Sequence, residues 1–241
     1  MDTERTISKL EPQAIINCAG YTNVDDCEDN YELAYNINTQ GCYNLALIAK
    51  KLDCILVHMS TDYVFNGKKD EPYIESDQPN PINIYGNSKL LGEIIVSKMC
   101  LKHFILRTSW LYGTTGKNFV KTILRIADIK NKISVVNDQI GTPTYTVDLI
   151  NIIAQLINTD AYGTYHVSND GQCSWYEFAN KIIQLTNKNT SVVPITTDQL
   201  KRTANRPSYS VLKNYMLEYQ FNYNLRNWQD ALGEFLNKDM E

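Results

Sequence analysis

A chain of 241 residues, 43% apolar and 21% charged, is long and apolar enough to bury a substantial core, which excludes a disordered polymer. Its formal net charge of −4 excludes a general nucleic-acid binder while leaving room for a local anion site. No apolar run approaches the roughly 20 residues that span a bilayer. Cys18, Cys27, Cys42, Cys54, Cys100 and Cys173 are scattered, with no C-x-x-C pair and no secretory leader, the pattern of reduced thiols in a cytoplasmic protein. His58, His103 and His166 lack thiol or carboxylate neighbours at ligand spacing, so no metal site is expected.

In chain order, short apolar runs alternate with helical patterns. Residues 14–18 and 54–59 read as buried strands, and between them Leu33, Ile37, Leu45, Ile48 and Leu52 keep a helical period. Residues 66–83 hold Pro72, Pro79 and Pro81 among Gly, Asp and Asn, the composition of an irregular connection. A helix is expected over 88–98, a strand over 104–106, a helix over 118–129 and a strand over 133–136. From Gly141 the chain turns to loops and short elements, notably 141–144 and 202–207. Helices are expected over 147–157, 175–185 and 228–236, with weaker strands at 165–167 and 191–195. Strand–helix–strand order, repeated, predicts an α/β fold: a parallel sheet with helices on both faces.

Three polar segments each follow the apolar part of a strand: Ala19-Gly20-Tyr21, Ser60-Thr61-Asp62-Tyr63 and Thr108-Ser109-Trp110. In a parallel sheet all three share the carboxyl edge, where ligands bind in open α/β folds. Tyr85 precedes Lys89 by four residues, which on a helix puts both side chains on one face a turn apart. An ammonium there lowers a phenol pKa from its usual value of about 10, so that the phenol exchanges a proton with a carbonyl or alcohol. Thr61 supplies a hydroxyl from a strand end. Chance alone gives about one Tyr-x-x-x-Lys in such a chain. A second match, Tyr209/Lys213, follows Arg206-Pro207 with no hydroxyl-bearing strand end nearby, and reads as the chance copy.

The ordered segments 16–22 (INCAGYT), 60–65 (STDYVF), 85–89 (YGNSK), 107–110 (RTSW) and 138–144 (DQIGTPT) resemble the dTDP-4-dehydrorhamnose reductase family of extended short-chain dehydrogenase/reductases. The resemblance runs over nearly the whole chain and implies a Rossmann-like fold. It assigns residues 1–140 to a truncated dinucleotide-binding domain. Residues 141–241 fall mainly to a small substrate-binding lobe, with segments returning to the sheet. No G-x-x-G-x-x-G is present, and about forty residues, one βαβ unit, are expected to precede the first strand. Without that unit the pyrophosphate cradle at a helix N-terminus is lost, so weak dinucleotide binding and an exposed strand are expected.

The resemblance further implies NADPH- or NADH-dependent reduction of a dTDP-4-keto-6-deoxy sugar to dTDP-L-rhamnose. Tyr85 is the proton donor to the keto oxygen, Lys89 lowers its pKa and holds the nicotinamide ribose, and Thr61 bonds the same oxygen. Ala19, Gly20, Tyr21 and Ser60, with Tyr85 and Lys89, are the cofactor-binding candidates. Asp62, Tyr63, Trp110, Gln139, Thr142 and Arg206, with Thr61, are those for substrate. Trp110 reads equally as a core aromatic, and Arg206 as a solvated loop residue. The implied partner is the dTDP-sugar, with no nucleic acid or membrane and with a homodimer compatible. Two rivals stand beside this reading: a non-catalytic binding or regulatory subunit of the same fold, and an inactive fragment.

Overall fold

The structure, a computed structural model, describes residues 3–239. Helix α1 (Thr3–Leu10) lies on the outside of α4 and is followed by β1 (Ala14–Asn17). The acidic α2 (Val24–Asp29) and short α3 (Tyr31–Tyr35) lead through a π-turn over Asn36–Gln40 into α4 (Gly41–Leu52). Strand β2 (Ile55–Thr61) ends in a single 3-10 turn, Asp62–Val64, before the irregular stretch that precedes α5 (Ile84–Met99). Then come β3 (His103–Thr108), β4 (Leu111–Tyr112), α6 (Phe119–Ala127), β5 (Lys132–Val136), β6 (Ile140–Gly141), β7 (Thr144–Tyr145) and α7 (Thr146–Leu156). Strands β8 (Gly163–His166) and β9 (Cys173–Ser174) follow, then α8 (Trp175–Leu185) and β10 (Ser191–Ile195). The chain closes with α9 (Thr197–Leu200), α10 (Tyr215–Phe221) and α11 (Trp228–Asp239).

The main sheet has four strands in the order β1-β2-β3-β8, all parallel. Side-chain alternation sends Val57, Phe104 and Leu106 to one face, where they meet Ile152 and Leu156 of α7 and Leu217 of α10. Leu56 and Ile105 point the other way, onto Cys42, Ala46 and Ala49 of α4 and Val96 of α5. Both faces of β2 and β3 are covered, which is why they read as nearly continuous apolar runs, whereas the edge strand β1 leaves Ile16 47% exposed. Burying each Leu or Phe contributes on the order of 1.5–3 kcal/mol.

A second core gathers Tyr112, Val120, Ile123, Val135, Phe178, Ile182, Trp228 and Phe235. Strands β5 and β10 pair in parallel inside it, apart from the main sheet. The cores therefore do not divide the chain at residue 140. Helix α6 and β5 already belong to the second core, while α7, β8 and α10 return to the first. Several helices, among them α1, α2, α9 and α10, lack the pattern that made the others legible. Helix α1 buries no residue, α2 is VDDCED with only Cys27 buried, and α10 buries only Leu217. The single helix expected between β1 and β2 is broken by the π-turn, and Leu33 lies 44% exposed.

One ion pair ties α5 to the sheet. Glu93 and Arg107, 4% and 5% exposed, pair with Nε–Oε1 at 3.0 Å and Nη2–Oε2 at 2.7 Å. Ser60 donates to Glu93 Oε1 at 2.5 Å, and the guanidinium lies 5.2 Å from the Phe65 ring centre. Removing one partner strands a buried charge. Glu93→Ala is expected to cost about 3–5 kcal/mol in urea unfolding, and adding Arg107→Met should recover most of it. A single variant that unfolds with the wild type would show the pair to be energetically idle.

Candidate active site

The site begins at the first turn of α5. The Asn83 carboxamide oxygen accepts the Gly86 N–H at 2.7 Å, and its Nδ2 donates to the Asn205 carbonyl at 2.8 Å. A Cβ on residue 86 would stand 2.1 Å from the Tyr63 carbonyl oxygen, so glycine alone lets the helix close on the 62–64 turn. That approach brings the half-buried Tyr85 phenol beside the Thr61 hydroxyl. The Tyr63 ring stands edge-on to Tyr85, with centroids 5.8 Å apart. One turn further along, Lys89 is buried and donates to the Met59 carbonyl at 2.6 Å.

Burial dominates the electrostatics here. It pushes the Tyr85 phenol up to about 12, against the Thr61 hydrogen bond, which pulls it down. The expected depression by Lys89 is not found, because the ammonium is itself disfavoured by burial and spends a donor on Met59. Thr61 Oγ1 accepts from the Tyr63 N–H at 3.2 Å and donates to Asp62 Oδ1 at 3.1 Å, and its hydroxyl lowers the pKa of the neighbouring Tyr85. A hydroxyl has one donor, so Thr61 donates to a substrate oxygen only by giving up its bond to Asp62. Asp62 is 2% exposed, its Oδ2 has no hydrogen-bond partner among the described residues, and burial raises its pKa to about 7.

The turn after β1 is joined to this helix by Asn38, which is buried in the π-turn. Asn38 Oδ1 accepts the Tyr21 N–H at 2.8 Å, and Nδ2 donates to the Tyr21 carbonyl at 3.1 Å and to Ser88 Oγ at 3.0 Å. Ala19 and Gly20 are exposed on the rim, and the place of a Gly20 Cβ lies 4.0 Å from Lys89 Nζ. The Tyr21 phenol donates to Asp26, whose bond pushes it up to about 12.

Beyond Tyr63 opens a cleft of about 350 Å³. Phe119, Ile123 and Ile126 of α6, Val135 of β5 and Trp175 form its apolar lining, and Tyr63, Gln139, Arg202 and Arg206 its polar one. Of the substrate candidates, Tyr63, Gln139 and Arg206 thus reach the cleft. Three sequence-predicted site residues are spent elsewhere. Ser60 holds Glu93, and Thr142 is fully buried, donating to the Gly171 carbonyl at 2.7 Å. Trp110 has φ 47° and stacks on Trp175 at 3.5 Å, with Gly141 pressed against its ring. Phe119, Trp175, Arg202 and Asn38 were missed, since nothing local distinguishes them from core or loop residues. Tyr209 donates to Gln172 at 3.0 Å and Lys213 pairs with Glu218, away from Thr61. Among the described residues no metal-ligand cluster occurs and no helix is long and apolar enough to cross a membrane.

A parallel sheet with Thr61, Tyr85 and Lys89 gathered at its carboxyl rim defines an extended short-chain dehydrogenase/reductase. The family model described as RmlD substrate binding domain matches residues 1–240. The spore coat polysaccharide biosynthesis protein SpsK of Bacillus subtilis is 44% identical over 226 residues, covering 94% of this chain and 79% of that protein. A solved dTDP-4-dehydrorhamnose reductase of Clostridium acetobutylicum superposes with a TM-score of 0.97 at 44% identity, over 99% of this chain and 85% of that one. Another, from Bacillus anthracis in complex with NADP, gives 0.96 at 46% identity, over 98% and 84%. The chain belongs to the dTDP-4-dehydrorhamnose reductase family.

Asp62 makes the site's pH dependence testable. Its pKa rises from 3.8 unfolded to about 7 folded. Between those values the folded state keeps a proton that the unfolded state has released, so stability is greatest below the unfolded value and falls as pH rises to about 7. Asp62→Asn should abolish that slope. Urea midpoints of the wild type are expected to drop relative to the variant across this window, and parallel curves would show that Asp62 ionises normally.

Proposed function

We propose that the chain reduces the 4-keto group of dTDP-4-dehydrorhamnose to the alcohol of dTDP-L-rhamnose, with NADPH or NADH as reductant. The observation that carries this reading is the Tyr85 phenol, held by Thr61 and set beside Tyr63, which lines the adjoining cleft. Relatives named for this reaction, and one solved in complex with NADP, support the choice of substrate and cofactor.

The residues present fit the nicotinamide end of a dinucleotide. Lys89 has three N–H donors and spends one on Met59 among the described residues, beside the open backbone of Gly20. The remaining donors suit ribose hydroxyls, and the turn 19–21 gives the close backbone approach a flat ring needs. A bound dihydronicotinamide supplies the hydride to C4. Tyr85 gives its proton to O4, completing the alcohol. A phenol whose pKa lies near 12 stays protonated at neutral pH, as a donor must. Thr61 then turns its hydroxyl from Asp62 to the phenolate, Lys89 supplies a nearby positive charge, and solvent returns the proton. Tyr63, Gln139 and Arg206 hold the nucleotide-sugar, with Arg206 on the diphosphate.

The test is turnover of dTDP-4-dehydrorhamnose by the purified chain with NADPH or NADH, followed by loss of dihydronicotinamide absorbance. Tyr85→Phe is expected to lower turnover at least about a hundredfold with KM for the sugar nearly unchanged. A phenylalanine variant as fast as the wild type would remove Tyr85 from the reaction. A wild-type chain silent with both dinucleotides would overturn the reductase reading itself.

A further inference from the structure

We propose that Asp25 is a positioning residue: it grips one edge of the Arg206 guanidinium so that the other edge stands ready for the diphosphate of a nucleotide. The inference rests on the nucleotide-sugar reading above and adds a residue to it.

The hydrogen bonds of Arg206 account for its donors one by one. Nη1 donates to Asp25 Oδ1 at 2.9 Å and to the Ala204 carbonyl at 2.8 Å, and Nη2 donates to Asp25 Oδ2 at 2.8 Å. A guanidinium has five N–H groups in a rigid plane. Three are spent, and the carboxylate occupies the terminal fork formed by both Nη atoms. The two left, on Nε and Nη2, share the lateral edge, and among the described residues nothing takes them. Two parallel donors on one edge match two oxygens of a phosphate. Arg206 and Arg202 both line the 350 Å³ cleft, within reach of a phosphate bound there.

Asp25 is placed for this role by more than one bond. It also accepts the Ala204 N–H at 3.0 Å and an Arg202 Nη1 donor at 3.2 Å, so a single carboxylate organises the loop on which both arginines ride. These bonds, the Arg206 pairing first, hold its carboxyl near 2, ionised at any working pH. Two other acidic groups of α2 serve different partners: Asp26 accepts from Tyr21 and Asn30, and Glu28 from the Ile84 N–H. Asp25 faces the loop. An unpaired arginine loses rotamer freedom when it binds an anion, whereas one already fixed by a carboxylate has little left to lose.

Positioning and competition predict opposite signs. If Asp25 positions Arg206, losing its carboxylate weakens diphosphate binding; if it merely occupies the arginine, losing it tightens binding. Calorimetric titration of the full chain with dTDP and with thymidine separates them. Asp25→Asn is expected to weaken dTDP about tenfold while leaving thymidine unchanged. Arg206→Lys, which keeps the charge and loses the planar fork, should cost dTDP a similar factor, and the double variant little more. A loss in Asp25→Asn that is equal for both compounds, or dTDP binding that stays level or tightens, would overturn the proposal. If Asp25→Asn fails to melt cooperatively, Arg206→Lys decides alone, and undiminished dTDP binding by it refutes the fork. A wild-type chain that does not prefer dTDP to thymidine fails earlier, at the nucleotide reading.

Discussion

The seating of α5 on β2 and β3 is the constraint from which the site follows. Glu93 and Arg107 are both withdrawn from water, a setting in which each ion costs several kcal/mol unless its partner and hydrogen bonds are in place. Here they are, with a forked pair, the Ser60 hydroxyl and the Phe65 face around the guanidinium. Sliding or rotating the helix would orphan a charge. Residues 85, 89 and 93 are spaced by four, so they form one stripe along α5. Fixing Glu93 therefore fixes Lys89 over Met59 and Tyr85 against Thr61.

The same burial that makes the pair costly shapes the groups above it. Tyr85 and Asp62 are pushed up and Lys89 down, each toward its neutral form, with removal from water as the leading cause. Tyr85 and Asp62 thereby hold their protons before chemistry begins. That suits donation to a carbonyl, where the charge to be managed appears on the phenol after its proton has left.

The cleft depends on a second anchoring. The 202–207 loop carries no regular structure, yet it is bound at both ends of the site: Asp25 holds Arg202, Ala204 and Arg206, and Asn83, the cap of α5, holds the Asn205 carbonyl. The segment that follows β1 and the helix that bears Tyr85 thus share one loop. The opposite wall comes from α6, β5 and Trp175, elements whose own packing lies in the second core.

What the sequence determined was whatever depends on spacing along the chain. Runs of apolar residues marked β2 and β3 because strands covered on both faces need nothing else, and they marked β1 as well, although Ile16 on this edge strand stays 47% exposed. Tyr85 and Lys89 were legible because four residues make one helical turn. The carboxyl rim was legible because all the polar segments follow strands of one direction. Tertiary structure decided which of those polar groups face the cleft. Ser60 was drawn to Glu93, Thr142 to Gly171, and Trp110 onto Trp175, each by a partner distant in sequence. It also decided that α6 and β5 leave the first core, and that Asp25 meets Arg206 across 181 positions. Local geometry fixes where a side chain starts, but its partner is chosen by packing, and packing is a property of the whole folded chain.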